Sequence, residues 1–228
     1  NQMRRFDQIL IGALKQCSVK LCFKVVGEQD IRWNKDLGGG VCYDLLCYQA
    51  DFLNNVLGCS SWQIEKIENV LRYKAGVDSE MVSEIRYRNG MSASLFCSLE
   101  RSSASKAAAV CETGQIAIPN LLVFPEYPCS EIEYTNNGVG SKWSWPRIDS
   151  YRMMFEDFAE AIVMKRDTRI PLSQSESNLK LMEQIRSAEN KAKRRGVIGS
   201  LTRSSFGFSL WYQWVIQRNK VRRLKKKE

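Results

Sequence analysis

Asn89-Gly90 limits this chain more than any other feature, because an Asn-Gly pair is the strongest short hairpin signal a sequence can carry. After it Met91, Ala93, Leu95, Cys97 and Leu99 alternate with Ser92, Ser94 and Ser98, the period-2 pattern of a strand with one buried face. Segments 64 to 73 and 80 to 88 read as strands, and so does KLCFKVV, which places a strand at about 19 to 26. A further hairpin is expected where AAAVC turns through Glu112, Thr113 and Gly114 into QIAI. Pro-containing irregular chain is expected from there through Trp143 and Trp145.

Helical spacing appears at four places. Phe6, Ile9, Leu10, Ala13 and Leu14 mark a short helix over 4 to 14. Leu45, Phe52, Leu53, Val56 and Leu57 mark a second over Val41 to Leu57, ending at Gly58. A third runs from Tyr151 to Lys165 with Met154, Phe155, Phe158, Ala161 and Ile162. The fourth follows Pro171, with Ser173 as N-cap, Glu176 completing a capping box, and Leu179, Leu181, Met182 and Ile185 on its apolar side. The order predicts an α+β fold: an open, mainly antiparallel β-sheet with helices packed on one face.

The charge is unevenly placed. The chain has 34 Lys and Arg against 25 Asp and Glu, yet residues 191–228 hold 12 basic residues and 1 acidic. The body is therefore about −2, and the basic pI does not point to a specific nucleic-acid partner. The longest apolar runs, LLVF and LWYQWVI, fall far short of the roughly 20 residues of a membrane span. No signal-peptide order opens the chain, and it begins at Asn1, so a piece of something longer is expected. Eight cysteines without an export signal suggest a reducing, cytoplasmic setting. None forms C-x-x-C, so no metal site is expected.

The chain contains no histidine, which excludes catalytic triads built on imidazole and leaves Tyr, Lys, Asp, Glu or Cys for proton transfer. GGGVCY and GVGSKW each fail as a dinucleotide fingerprint, and no P-loop occurs, so no cofactor-binding residue is assigned in this chain. Asp44, Tyr48 and Asp51, spaced four and then three apart, share one sector of the second helix. Asp51, and Lys35 and Asp36 before the glycines, read as solvated surface.

GGGVCYDLLCYQADFLNNVLG, over Gly38 to Gly58, resembles the signature of the Gfo/Idh/MocA oxidoreductase family, the glucose-fructose oxidoreductase and inositol dehydrogenase group. The resemblance extends through IRWNKDL, GVDSEMVSEIRYRNGMSASLFCSL, ETGQIAIPN, FEDFAEAI and RIPLSQSESNLKLMEQI, covering roughly residues 4 to 190. It implies a C-terminal α+β domain at 1–190, followed by a basic, aromatic-containing extension at 191–228. It also implies a catalytic pair, Tyr48 and Asp44, and substrate contacts from Asp44, Gly38, Gly39 and Gly40. Tyr48 would exchange the substrate's hydroxyl proton, and Asp44 would hold a hydroxyl or orient the phenol. NAD or NADP would be bound mainly by a Rossmann domain absent from this chain, as is the family's Glu-Lys-Pro motif. One departure is Leu46, where the family usually has Gly, and it is expected to crowd the pocket or repack the helix.

The function so implied is the substrate-binding and oligomerisation domain of an NAD(P)-dependent oxidoreductase acting on a sugar, polyol or related cyclic alcohol. It would be inactive without its Rossmann half and a homo-oligomer through the open sheet. The alternative is a non-catalytic self-association module derived from that domain. For the extension, FGFSLWYQWVI beside Arg218, Lys220 and the following cations suggests weak contact with anionic membranes, while a polyanion contact and an unselected extension stay open.

Overall fold

The computed structural model describes residues 12–59, 63–122, 129–146 and 148–188. Eight strands form one sheet: β1 (Leu14–Cys22), β2 (Ile64–Lys74), β3 (Val77–Tyr87), β4 (Ser92–Ser98), β5 (Ala104–Cys111), β6 (Gly114–Ile118), β7 (Cys129–Asn136) and β8 (Val139–Pro146). Their order is β2-β3-β4-β1-β5-β6-β7-β8. Every neighbouring pair is antiparallel except β1 with β4, so the sheet is mainly antiparallel as expected. The helical segments are α1 (Val41–Asp44), α2 (Leu46–Asp51), α3 (Ser150–Met164) and α4 (Leu172–Ser187).

The alternation after Asn89-Gly90 is realised in full. Met91, Ala93, Leu95, Cys97 and Leu99 are all buried, and they join Cys17, Val19 and Leu21 of β1 and Met81 and Ile85 of β3 beneath the helices. The opposite face carries a smaller cluster of Cys22, Val70, Val82 and Phe96. Beside it the Glu80 carboxylate, 2% exposed, is held by Arg101 Nε at 2.6 Å, by Arg72 and by the Ser98 hydroxyl. Cys17, Cys22, Cys42, Cys47, Cys59, Cys97 and Cys111 form no disulfide and serve as small packing groups.

Several expectations need correction. β1 begins at Leu14 and ends at Cys22, because its antiparallel partner β5 pairs with it from Leu14 onward. Leu14 is thus strand rather than the end of a helix, and residues 4 to 11 of that expected helix, like the 191–228 extension, lie outside the described residues. The stretch expected to be irregular through Trp143 and Trp145 is the β7–β8 hairpin. Asn137 (φ 47°) and Gly138 (φ 82°) supply its two positive-φ residues. Tyr134 and Trp143 pack diagonally across it with ring centroids 4.8 Å apart.

The single helix expected over Val41 to Leu57 is broken at Leu45 and widens into a π-helical run over Phe52–Val56 before stopping at Gly58 (φ 71°). Phe52, Leu53 and Asn54 are successive buried residues, more than a 100° step keeps on one face, and the wider turn accommodates them. α4 begins at Leu172 directly after Pro171, which stands at the N-cap with no side-chain bond. Ser173 therefore falls inside the first turn and the capping box does not form; Glu176 pairs with Lys180 instead. Leu181, Met182 and Ile185 are buried, whereas Leu179 points outward. α3 buries only Ala161; Tyr151, Met154, Phe155, Phe158 and Ile162 lie exposed.

Gln49 of α2 ties the helical layer to the sheet. It is fully buried, its Nε2 donates to the carbonyls of Val19 (3.1 Å) and Phe96 (3.0 Å), and its Oε1 accepts from the Cys97 thiol. Replacing it with Leu removes these donors from two adjacent strands inside the core. Unfolding in urea is expected to show a loss of about 1–3 kcal/mol; a midpoint equal to the parent's would show that the amide carries no such role.

Candidate active site

Two tight turns place the glycine triplet. Asp30 caps a 3-10 turn over Ile31–Trp33 by accepting from the Arg32 amide (2.9 Å), and Asn34 caps the next, over Lys35–Leu37, by accepting from Asp36 N (2.9 Å). Gly38 closes the second turn in the left-handed region (φ 75°). Gly39 N donates to the Asn34 carbonyl (2.8 Å), and Gly40 N to the Arg32 carbonyl (3.0 Å), so the triplet folds back over Arg32. A Cβ on Gly39 would stand 2.6 Å from Arg32 O, and one on Gly40 would stand 2.5 Å from Asp78 Oδ1. The bare faces of these two glycines are thus filled by protein, while nothing lies near the Cβ position of Gly38.

α1 starts at this turn. Gly40 has no side chain to cap the helix, and the buried Asp78 of β3 does so instead, its Oδ2 accepting from Cys42 N at 2.7 Å. Asp44 follows on the outward side, where its Oδ2 receives Arg32 Nε at 3.1 Å. Arg32 Nη1 lies 3.2 Å from both oxygens of Asp30, and the guanidinium carbon stands 5.1 Å from the Phe23 ring centroid. Asp44 Oδ1 has no hydrogen-bond partner among the described residues.

Tyr48, one turn on, is 48% exposed. Partial burial raises its phenol above the usual tyrosine value, as do Cys47, Asp44 and Tyr151, and Arg32 works in the other direction. Near neutrality the hydroxyl therefore keeps its proton. Asp44 and Tyr48 stay on one outward face as the spacing predicts, but Asp51 turns aside. Its Oδ1 accepts from Asn55 (2.6 Å) and Asn178 (2.9 Å), binding α4 to the π-helical turn. Leu46 is fully buried in the core and so does not crowd the outward face that carries Asp44 and Tyr48. Lys35 and Asp36 are exposed in the loop. Two clefts of about 360 and 530 Å³ elsewhere on the surface include neither Asp44 nor Tyr48.

The turn does not fit the phosphates of a dinucleotide. A phosphate at a helix start needs open backbone amides and room for an anion. Here Asp78 already occupies Cys42 N and brings its own carboxylate against Gly40. No group of metal-ligating side chains occurs among the described residues, and no helix among them is long and apolar enough to cross a membrane.

The fold defines the class: an α+β domain built on one open eight-stranded sheet. The 3-ketoreductase of Actinomadura kijaniata, solved with NADP and TDP-benzene, is 18% identical with a TM-score of 0.74 over 83% of this chain and 58% of its own. The aldose-aldose oxidoreductase of Caulobacter crescentus, complexed with glycerol, is 13% identical with a TM-score of 0.71 over 84% and 58%. For the UDP-N-acetylglucosamine 3-dehydrogenase of Acidithiobacillus ferrooxidans the values are 15%, 0.64, 82% and 57%. This chain thus spans less than two thirds of their length. No curated protein matches by sequence. Residues 4–117 match the GFO/IDH/MocA C-terminal domain. The chain belongs to the GFO/IDH/MocA family.

The sequence singles out Asp44 and Tyr48 as candidates but not Arg32, which grips Asp44, or Asp78, which caps the helix start. Arg32 stands within the quoted IRWNKDL stretch, and an arginine just before a glycine turn and an acidic helix start was the available signal. Nothing local announces Asp78, which reaches the helix from 36 residues away.

Proposed function

We propose that this chain is the substrate-side domain of an NAD(P)-dependent oxidoreductase acting on a sugar, polyol or related cyclic alcohol. The observation that carries the reading is Asp44, gripped by Arg32 at 3.1 Å one turn before the half-exposed Tyr48, in a domain of this family. The relatives' names support the substrate class, and the NADP complex of one supports the cofactor class. The cofactor itself is assigned to a further domain, without which the chain is inactive.

Within this domain the Tyr48 hydroxyl holds the proton that a carbonyl oxygen takes up on reduction, consistent with its raised pKa. In the opposite direction it needs a cation placed against it before it can accept a proton efficiently. Asp44 presents Oδ1 to a sugar hydroxyl while Oδ2 stays on Arg32. The open sheet face is the proposed self-association surface, and the seven cysteines that form no disulfide support a cytoplasmic setting.

The test is NAD(P)H oxidation by the full-length protein, joined to its dinucleotide domain, across keto-sugars and keto-nucleotide sugars. Turnover of at least one is expected. Dinucleotide binding with no turnover of any, in a protein that still self-associates, would replace this reading with the non-catalytic module.

A further inference from the structure

We infer that Arg32 is a positioning residue: it fixes the Asp44 carboxylate in one orientation and offsets its charge beside Tyr48. The assignment deepens the functional reading above and rests on it for the role of the pair, although part of its test needs no turnover.

Arg32 is itself held on several sides. Its carbonyl receives Gly40 N–H at 3.0 Å and its amide donates to Asp30 at 2.9 Å, which pins the backbone under the glycine turn. Its side chain spans two carboxylates, Asp30 through Nη1 at 3.2 Å and Asp44 through Nε at 3.1 Å, and its guanidinium lies over the Phe23 ring. A planar fork can serve two carboxylates at once, whereas the point charge of a lysine cannot reproduce that geometry. Arg32 and Asp44 are twelve residues apart. The loop, closing on Arg32's own carbonyl, sets where the helix-borne carboxylate is held.

The electrostatic part follows from which groups act on Tyr48. Cys47 and Asp44 come from its own helical segment, Tyr151 from α3 and Arg32 from the loop. The first three, with burial, disfavour the phenolate, and Arg32 favours it. Neutralising Arg32 leaves Asp44 uncompensated next to the phenol, so the Tyr48 midpoint must rise. Neutralising Asp44 as well takes away a group whose raising effect exceeds the lowering effect of Arg32, so the midpoint must fall again, to below that of the parent.

The measurement is an NMR titration of this chain with ring-labelled tyrosine, Tyr48 being identified by the signal lost in Tyr48→Phe. Signal dispersion at each pH confirms that the fold persists. Arg32→Gln is expected to move the Tyr48 midpoint upward, and Arg32→Gln with Asp44→Asn to bring it below that of the parent. Arg32→Lys, which keeps the charge and guards against a variant that fails to fold, should leave the midpoint near that of the parent. In the full-length enzyme both single Arg32 variants should lower kcat about tenfold through loss of orientation, with KM changed much less. An unmoved Tyr48 midpoint in Arg32→Gln overturns the electrostatic role, and full kcat in Arg32→Lys overturns the orienting role. A shifted midpoint in a parent enzyme that turns nothing over overturns the catalytic reading and leaves the Arg32–Asp44–Tyr48 coupling standing.

Discussion

On the proposed reading, Tyr48→Phe in the full-length protein should lower kcat by roughly 10²–10⁴-fold, the range associated with losing a positioned proton donor or acceptor. The substitution removes one oxygen from a side chain that is 48% exposed, so the fold has little reason to respond. KM for the sugar should change only a few-fold, because Asp44 and the loop remain. The pH profile adds a second readout. A phenol whose pKa lies above its ordinary value donates its proton throughout the neutral range, so reduction should stay flat through pH 7 and fall only as pH rises through the shifted value. Turnover of the Phe variant within a factor of three of the parent would remove Tyr48 from the chemistry.

Gly40→Ala is expected to destabilise the chain by about 3 kcal/mol or more. Gly40 sits at φ 116° and ψ 154°, a backbone region essentially closed to residues with a Cβ. The new methyl would also meet the Asp78 carboxylate at 2.5 Å. Asp78 cannot simply withdraw, since it caps Cys42 N and is 8% exposed. Gly38→Ala is the matched control: its φ of 75° is unfavourable for alanine, but nothing lies within 4 Å of the added atom, so a cost of about 1 kcal/mol is expected. Urea denaturation of the three proteins measures the difference. Equal midpoints for the two variants would mean that Asp78 does not hold this turn in place.

The parts of the fold carried by short-range pattern were legible in the sequence. Alternation from Met91 to Leu99 fixes which side of β4 is buried, and a period-2 pattern leaves little freedom once one face is apolar. Even there the turn differs from the simplest expectation. Arg88, Asn89 and Gly90 form a three-residue loop in which only Gly90 has positive φ, with Gly90 N bonded to Tyr87 O and Asn89 Oδ1 to Met91 N. Asn137-Gly138 carries the same signal and makes the tighter two-residue turn, but prolines and charges around it obscured the strands. Asp44 and Tyr48 stand out as candidates because the family resemblance and their four-residue spacing point to the same two positions. Arg32 and Asp78 do not, since their roles depend on a 3-10 loop without periodicity and on a strand brought to the helix start by the sheet. The break at Leu45 and the outward stripe of α3 depend on which neighbours each residue meets, and helical spacing is silent about that.

β1 lies between β4 and β5, and it is the shared edge that makes one sheet out of two ladders. β2, β3 and β4 succeed one another through short turns, as do β5 to β8 apart from the stretch before β7, so each ladder can assemble from neighbours in the chain. β1 must instead join β4 across about seventy intervening residues and then accept β5 on its other side. Closing so long a segment carries a large entropic penalty before any contact repays it. Nine residues near the start of the domain therefore act as a keystone: the two ladders can form early, but the Gln49 anchor, which needs Val19 and Phe96 side by side, is set only when that keystone drops in.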